Sequence, residues 1–360
     1  MGKDVLLDRY GRLYCLPAAL AERELDVIAI CQEYGFHTIK SKLFMNDASG
    51  VRWYANTTRD WLLRSLLCNG RSKMHMDAVP DVVVGSSDCF QVIIAARVAK
   101  LYRVPFVADL YDNYESFGMA RIPFMKFFFR RALCQASAIT CVSAPLAKLI
   151  RAQLAERDIR STRIEVLEST INPSMFVHRG KAESRTKFGF LQDEVLIGYA
   201  GALDSSRDIE VLYEAFYRLT KRRANVRLVL AGLSDGSCAI PVDPNITYIG
   251  QISHDDVVSF YSCLDVGVIC LKDSEFGRYS FPQKAYEMIA IGIPLAVTAV
   301  GAMKSLFSSH PEVLYESGDV GSLLNALMSQ IDSPKMIDIP IPSWNDQAKI
   351  LKNLLLEVSC

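Results

Sequence analysis

The stretch Ser280-Phe-Pro-Gln-Lys-Ala-Tyr-Glu-Met-Ile-Ala-Ile-Gly-Ile-Pro294 decides how this sequence reads. It has the marks of a helix that begins after a loop and stops abruptly. Ser280 is a predicted N-cap, and Gln283 three residues later completes a capping box. Pro282 falls in the first turn, where a missing N–H costs little. Gly292 supplies a left-handed stop, and Pro294 blocks continuation. A helix start carries free N–H groups and partial positive charge, which suits a diphosphate. Lys284 adds a cation in the first turn. Glu287 lies one turn further on a neighbouring face, where a carboxylate accepts two hydrogen bonds from a ribose diol. An ordinary capped surface helix with an ion-pairing Lys and Glu explains the same residues equally well.

Outward from this stretch, short apolar runs alternate with helix-period segments. Towards the C-terminus strands are predicted over 195–199, 226–231, 246–249, 266–270 and 295–297, with helices over 209–222, 255–263 and 282–291. Before it, strands are predicted over 4–7, 26–30, 81–85, 106–110, 138–142 and 164–167, with helices over 16–24, 90–102, 124–135 and 144–155. The alternation argues for an α/β chain of parallel sheets with helices on both faces. A length of 360 residues fits two domains. The polar segment 178–184 is the natural linker, giving domains 1–178 and 179–340. Two such domains in tandem leave a cleft where ligands bind, outside the carboxyl ends of the strands.

Composition excludes several classes. The chain is 50% hydrophobic and 22% charged, so a packed globular protein is expected. Lys plus Arg and Asp plus Glu number 40 each, so nothing draws the whole chain to nucleic acid, and no nucleic-acid partner is expected. Ten cysteines form no C-x-x-C pair, which disfavours a zinc ribbon and predicts buried thiols in a cytosolic protein. No signal peptide is read at Met1, and no apolar run reaches about 18 residues, so a cytoplasmic location is expected. There is no G-x-G-x-x-G after the first strand and no G-x-x-x-x-G-K-[ST], against a nicotinamide Rossmann enzyme or a P-loop NTPase. Residues 121–133 hold four phenylalanines and four basic residues. Such a helix can lie on a bilayer, giving peripheral membrane contact at the inner face. The sequence favours a core helix whose Arg130 and Arg131 reach solvent.

Pro282, Lys284, Glu287, Ala290, Gly292 and Pro294 together resemble the donor-site signature of the family-4 retaining glycosyltransferases, the glycosyl transferases group 1. Further matches follow in order. Ile197-Gly-Tyr-Ala-Gly201 with Arg207 resembles the loop that offers a cation to the donor phosphates. Leu228-Val-Leu-Ala-Gly232 resembles the next strand, and Ile249-Gly-Gln-Ile-Ser-His254 the base-recognition loop. Asp265-Val-Gly-Val-Ile269, Val300-Gly301 and Ser317-Gly-Asp319 match later landmarks. The first half matches more loosely, at Tyr10-Gly11-Arg12, Pro80 to Val84, Pro105 to Asp112 and Cys141-Val-Ser143.

The resemblance implies a GT-B fold, two Rossmann-like parallel-sheet domains facing across a cleft, with a helix in 341–360 crossing back to the first. It implies donor contacts from Gly11, Gly201, Arg207, Gly250, Ile252, Tyr279, Ser280, Phe281, Lys284 and Glu287, and catalytic roles for Asp112, Arg207 and Lys284. A nucleotide-diphosphate sugar would serve as co-substrate, with no other cofactor and no metal, and the acceptor would be a saccharide or a lipid-linked one. The anomeric configuration would be retained, in surface polysaccharide biosynthesis. Asp112 reads equally as a loop-stabilising residue, Glu115 is a weaker candidate, and His254 is expected to cap a helix or sit near the base.

The chain departs from the family's pattern at informative places. Tyr279 stands where many members have the first of two glutamates, Ala202 where an arginine is usual, and Ser169-Thr170 where Asn-Gly is usual. Asp109-Leu-Tyr-Asp112 has the wrong spacing for a metal-binding D-x-D loop. Two alternative readings share the fold: a sugar-nucleotide epimerase, and a non-catalytic nucleotide-sugar-binding protein.

Overall fold

The computed structural model describes residues 5–33, 43–46, 48–57, 79–116 and 118–359. The chain divides into two compact units, the first made of Met1–Val142, Ala147–Thr170 and Pro342–Cys360, the second of Ser143–Leu146 and Ile171–Ile341.

The first unit opens with strands β1 (Ile28–Glu33), β2 (Leu43–Asn46) and β3 (Arg52–Thr57), in the order β1-β3-β2. β1 runs parallel and β2 antiparallel to β3. Trp53 is buried on this sheet and stacks on Tyr14 at 5.4 Å. A second sheet orders β4 (Val83–Gly85), β5 (Phe106–Leu110), β6 (Ala138–Cys141) and β7 (Arg163–Val166), all parallel. Every residue of β5 and β6 is buried, as expected of central strands covered on both faces.

The helix Trp344–Ser359 completes this unit's core. Trp344, Ala348, Leu351 and Leu354 form one apolar stripe and pack with Leu16, Ala19 and Leu20 of the helix Arg12–Ala21. Burial of each large apolar side chain contributes about 1.5–3 kcal/mol, so the last residues of the chain are built into the unit formed by its first ones.

The second unit holds one parallel sheet of six strands: β8 (Val195–Ala200), β9 (Val226–Ala231), β10 (Ile246–Tyr248), β11 (Val266–Ile269), β12 (Leu295–Thr298) and β13 (Leu314–Tyr315). Their order is β10-β9-β8-β11-β12-β13. Leu212, Phe216 and Leu219 of the helix Ile209–Thr220 join Leu323 and Leu327 of the helix Val320–Asp332 on one face of it.

Two expectations are corrected. Residues 4–7, expected as a strand, overlap the helix Val5–Asp8. The expected linker 178–184 runs into the helix Lys181–Phe188, and the division between units lies at Thr170 and Ile171. The physical reason is Arg185, buried and donating to Cys263 O at 3.1 Å, Gln192 O at 2.6 Å and Asp265 Oδ2 at 2.6 Å. The segment that reads as solvated is held to the second unit by Arg179 and Lys181 within it and by Arg185 just after it. The helix Met125–Leu133 sits in the core by one side only: Phe129, Ala132 and Leu133 are buried, while Phe127 and Phe128 are exposed.

Candidate functional site

Strand β8 ends at Ala200, and the chain turns at Gly201 with φ 148°. Gly232 plays the same part after β9, with φ 129°. A Cβ on Gly232 would fall 1.9 Å from the Gly201 carbonyl oxygen, so the two strand ends meet backbone to backbone. Gly250 closes the group, its carbonyl accepting from Gly232 N at 2.8 Å. Gly201 and Gly250 are thus brought together through Gly232, which the sequence marks only as the end of a strand.

Lys284 enters the same place from another element. A Cβ on Gly201 would lie 2.5 Å from its Nζ. The ammonium donates to Ala200 O and lies 4.4 Å from the Tyr199 ring centroid. Burial, and then the charge of Arg207, push the Lys284 pKa down from 10.5 to about 8. The Arg207 guanidinium stacks 4.6 Å from the Phe276 ring, and its Nε is buried with no hydrogen-bond partner among the described residues. The loop that carries it is shaped locally: Arg207 N donates to Asp204 O at 3.2 Å, and Asp204 Oδ1 accepts from Ser206 N at 2.9 Å. Two cations converge here, and among the described residues neither is in an ion pair. Such an arrangement is destabilising by itself and becomes favourable when an anion binds.

The helix start differs from its expected form. Gln283 is the N-cap, in helical geometry and without a side-chain cap bond, and the helix is Lys284–Ile291. Ser280 instead ends a separate short helix, Glu275–Tyr279, and its Oγ donates to Gly277 O at 3.4 Å. The reason lies upstream: Ser274 caps that short helix by accepting from Gly277 N at 3.2 Å. Pro282 precedes the cap rather than lying in the first turn, and its carbonyl accepts from Ala285 N at 3.0 Å. The amides of Tyr286 and Glu287 donate to Gln283 O. The stop is as expected: Gly292 has φ 74°, and its amide donates to Met288 O at 3.1 Å.

Glu287 is 9% exposed and accepts from Tyr261 Oη at 3.3 Å. Burial, and then this carboxylate, hold the Tyr261 phenol well above its usual pKa. Sequence reasoning missed Tyr261; its only signal was an aromatic in the helix His254–Ser262. Phe281 is buried with its ring 5.2 Å from Tyr286. Tyr279 is half-buried at the end of its short helix, and Ile252 is half-buried in the loop after β10. His254 does not cap its helix: Ser253 does, accepting from Asp256 N at 3.2 Å.

Gly11 and Asp112 belong to the first unit. Gly11 has φ 78° at the start of the helix Arg12–Ala21, and its carbonyl accepts from Cys15 N at 2.9 Å. Beside it lies a cluster that sequence reasoning missed. The buried Arg12 donates to both oxygens of the buried Asp109, at 3.0 and 2.5 Å, and to Leu167 O at 2.6 Å. Thr140 Oγ1 and Ser86 Oγ donate to the same carboxylate. Burial would raise the Asp109 pKa, but the Arg12 charge and these hydrogen bonds outweigh it and hold it below the ordinary value. Asp112 is half-buried beyond β5, with Oδ1 accepting from Asn113 N at 2.9 Å. Glu115 is held by Arg130 in two bonds of 2.7 and 2.6 Å.

Residues 194–333, the stretch that carries the glycine turns, Arg207, Lys284 and Glu287, match the family model described as glycosyl transferases group 1. The chain as a whole has the GT-B fold, with two Rossmann-like units. It is similar to sucrose-phosphate synthase from Thermosynechococcus elongatus, with TM-score 0.68 and 16% identity over 96% of this chain and 89% of that one. It is also similar to HepE of Anabaena, solved with UDP and glucose, with TM-score 0.66 and 13% identity over 98% of this chain and 94% of that one. In sequence it is 24% identical over 155 residues to the capsular polysaccharide biosynthesis glycosyltransferase CapM of Staphylococcus aureus, covering 41% of this chain and 39% of that protein. The matches span 39% to 60% of the length of the curated relatives.

Proposed function

We propose that this chain is a glycosyltransferase whose glycosyl transferases group 1 domain holds a nucleotide-diphosphate sugar and passes the sugar to a saccharide or lipid-linked acceptor. The observation that carries the reading is Lys284 at the Gly201 turn within reach of the Arg207 charge, neither cation being in an ion pair among the described residues. In the proposed reaction the diphosphate leaves as the anomeric bond breaks, and these two cations neutralise the developing charge. That role gives the pair a function a metal ion has elsewhere, so the reaction is proposed to be metal-independent and without a further cofactor. Glu287 receives the ribose hydroxyls, with Tyr261 orienting its carboxylate. Gly11 and Asp112 act from the first unit, Asp112 by orienting the sugar or the acceptor hydroxyl.

Configuration is proposed to be retained, a donor phosphate oxygen accepting the acceptor's proton. HepE binds UDP and glucose, which makes UDP-sugars the first donors to try. The names of CapM and of the teichuronic acid relatives of Bacillus subtilis support surface polysaccharides as the first acceptors to try.

The test is product analysis with purified protein, a panel of nucleotide sugars and saccharide or lipid-linked acceptors, with and without a chelator. Acceptor-dependent release of the nucleoside diphosphate, with the donor's anomeric configuration kept in the product, is the expected result. An epimerised sugar nucleotide formed without acceptor would favour the epimerase reading. Donor binding without turnover would favour a non-catalytic binding protein.

A further inference from the structure

The helix Met125–Leu133 and the turn before it present an open face that the proposed chemistry does not use. Phe129 packs inward, its ring 6.2 Å from Tyr114. On the outside, Ile122 is 46% exposed, Phe124 76%, Phe127 57% and Phe128 51%. Among the described residues no other phenylalanine is exposed. The Phe127 and Phe128 rings contact each other at 5.4 Å. Phe124 holds φ 63°, a backbone conformation that bulky residues rarely take, and it leaves the ring in solvent.

The same face is basic. Arg121, Lys126, Arg130 and Arg131 are exposed. No Asp or Glu occurs between Glu115 and Glu156. Glu115 is committed to Arg130, and Glu156 also acts on it, while Arg157 beside Cys134 adds a further cation. Asp88 acts on Cys89 together with Glu115 and Lys126, so five cations stand against three carboxylates, in a chain whose net charge is zero. Exposed apolar clusters rimmed by polar residues mark interaction sites. Lysine is depleted where protein meets protein, whereas a basic rim around aromatic side chains fits a bilayer surface. No helix among the described residues is long and apolar enough to cross a membrane.

We propose that this face rests on an anionic lipid bilayer. Phe124, Phe127 and Phe128 reach the boundary between headgroups and acyl chains, and Arg121, Lys126 and Arg131 lie against lipid phosphates. Arg130 is largely spent on Glu115. The docking stands apart from the transfer chemistry, so failure of one leaves the other standing.

The experiment is flotation of the full chain with vesicles of phosphatidylcholine alone and of phosphatidylcholine mixed with phosphatidylglycerol. The expected result is binding to the anionic vesicles only, released by added salt. Lys126→Gln with Arg131→Gln should weaken it about 25-fold, at about fivefold per charge. Phe127→Ser with Phe128→Ser should weaken it at least about tenfold. Both pairs are on the surface, and unchanged melting temperatures would establish that they fold. Absence of flotation, or flotation that neither pair alters, overturns the proposal. Sedimentation velocity without vesicles separates the remaining occupant: a dimer lost in the phenylalanine variant, with no flotation of either protein, assigns the face to a second copy and overturns the proposal too.

Discussion

If Lys284 meets the donor diphosphate, donor affinity should fall as pH rises past 8. In the free protein burial and Arg207 hold its pKa at about 8 against an ordinary 10.5. A bound diphosphate opposes both effects, and full compensation returns the pKa to its ordinary value. That difference corresponds to about 3 kcal/mol at most. At about pH 7 the free ammonium is already mostly charged, and at about pH 9 it is mostly neutral. Linkage then predicts a Kd about tenfold weaker at the higher pH, with uptake of about half a proton per donor bound near pH 8. Titration calorimetry with UDP-glucose in buffers of different ionisation enthalpy reads both quantities. Lys284→Met should bind more weakly, with the tenfold change gone; any slope left in it reports titration of the base itself. The stability of the free protein carries the opposite sign. The unfolded chain binds more protons between about pH 8 and 10.5, so stability should rise across that window, and less so in Lys284→Met. An affinity that is flat from pH 7 to 9, or one that falls equally in the variant, would refute the placement of this ammonium on the diphosphate.

Other consequences are equally direct. Gly232→Ala forces a Cβ to 1.9 Å from backbone, at φ 129°, and should cost more than about 3 kcal/mol in thermal or urea unfolding. Gly201→Ala meets the flexible Nζ of Lys284 instead, so it should weaken donor binding with a smaller fall in melting temperature. Asp109→Asn leaves Arg12 buried without its counter-charge and should cost about 3–5 kcal/mol. The low pKa of Asp109 contributes stability above its unfolded value of about 3.9 and loses it as pH falls through the folded one, so the variant's acid denaturation below about pH 4 should be shallower. Tyr261→Phe removes the hydrogen bond to Glu287 and should weaken donor binding about fivefold.

Much of the fold was legible because central parallel strands are continuous apolar runs between turn residues. Strand β5 lies over 106–110 as expected, β9 over 226–231, and the helix Ala144–Ala155 over 144–155. Strands β2 and β3 were not found; Leu-Phe-Met-Asn and Arg-Trp-Tyr-Ala-Asn-Thr carry no clear alternation, and their pairing depends on partners elsewhere. The capping box at Ser280 failed because a competing cap at Ser274 starts a helix that ends at Tyr279, and spacing alone does not rank the two. In the candidate site, single cations such as Arg207 in its loop and Lys284 at its helix start stand out in the sequence as candidates. Pairs made by the fold do not. Arg12 and Asp109 are 97 residues apart, and Tyr261 reaches Glu287 across 26. The exposed phenylalanines are the converse case: residue type argued for the core, and only the packing of Phe129 shows which side of the helix is buried.

The most direct test of the central claim is a thermal-shift screen of UDP-, GDP-, ADP-, dTDP- and CMP-sugars on the wild type, Lys284→Met and Glu287→Ala. A ligand that binds only the native state raises the melting temperature by mass action. One nucleotide class should stabilise the wild type and do so far less in both variants, placing the donor on this helix. Folded wild type that none of them stabilises, or stabilisation that survives in both variants, would contradict the account.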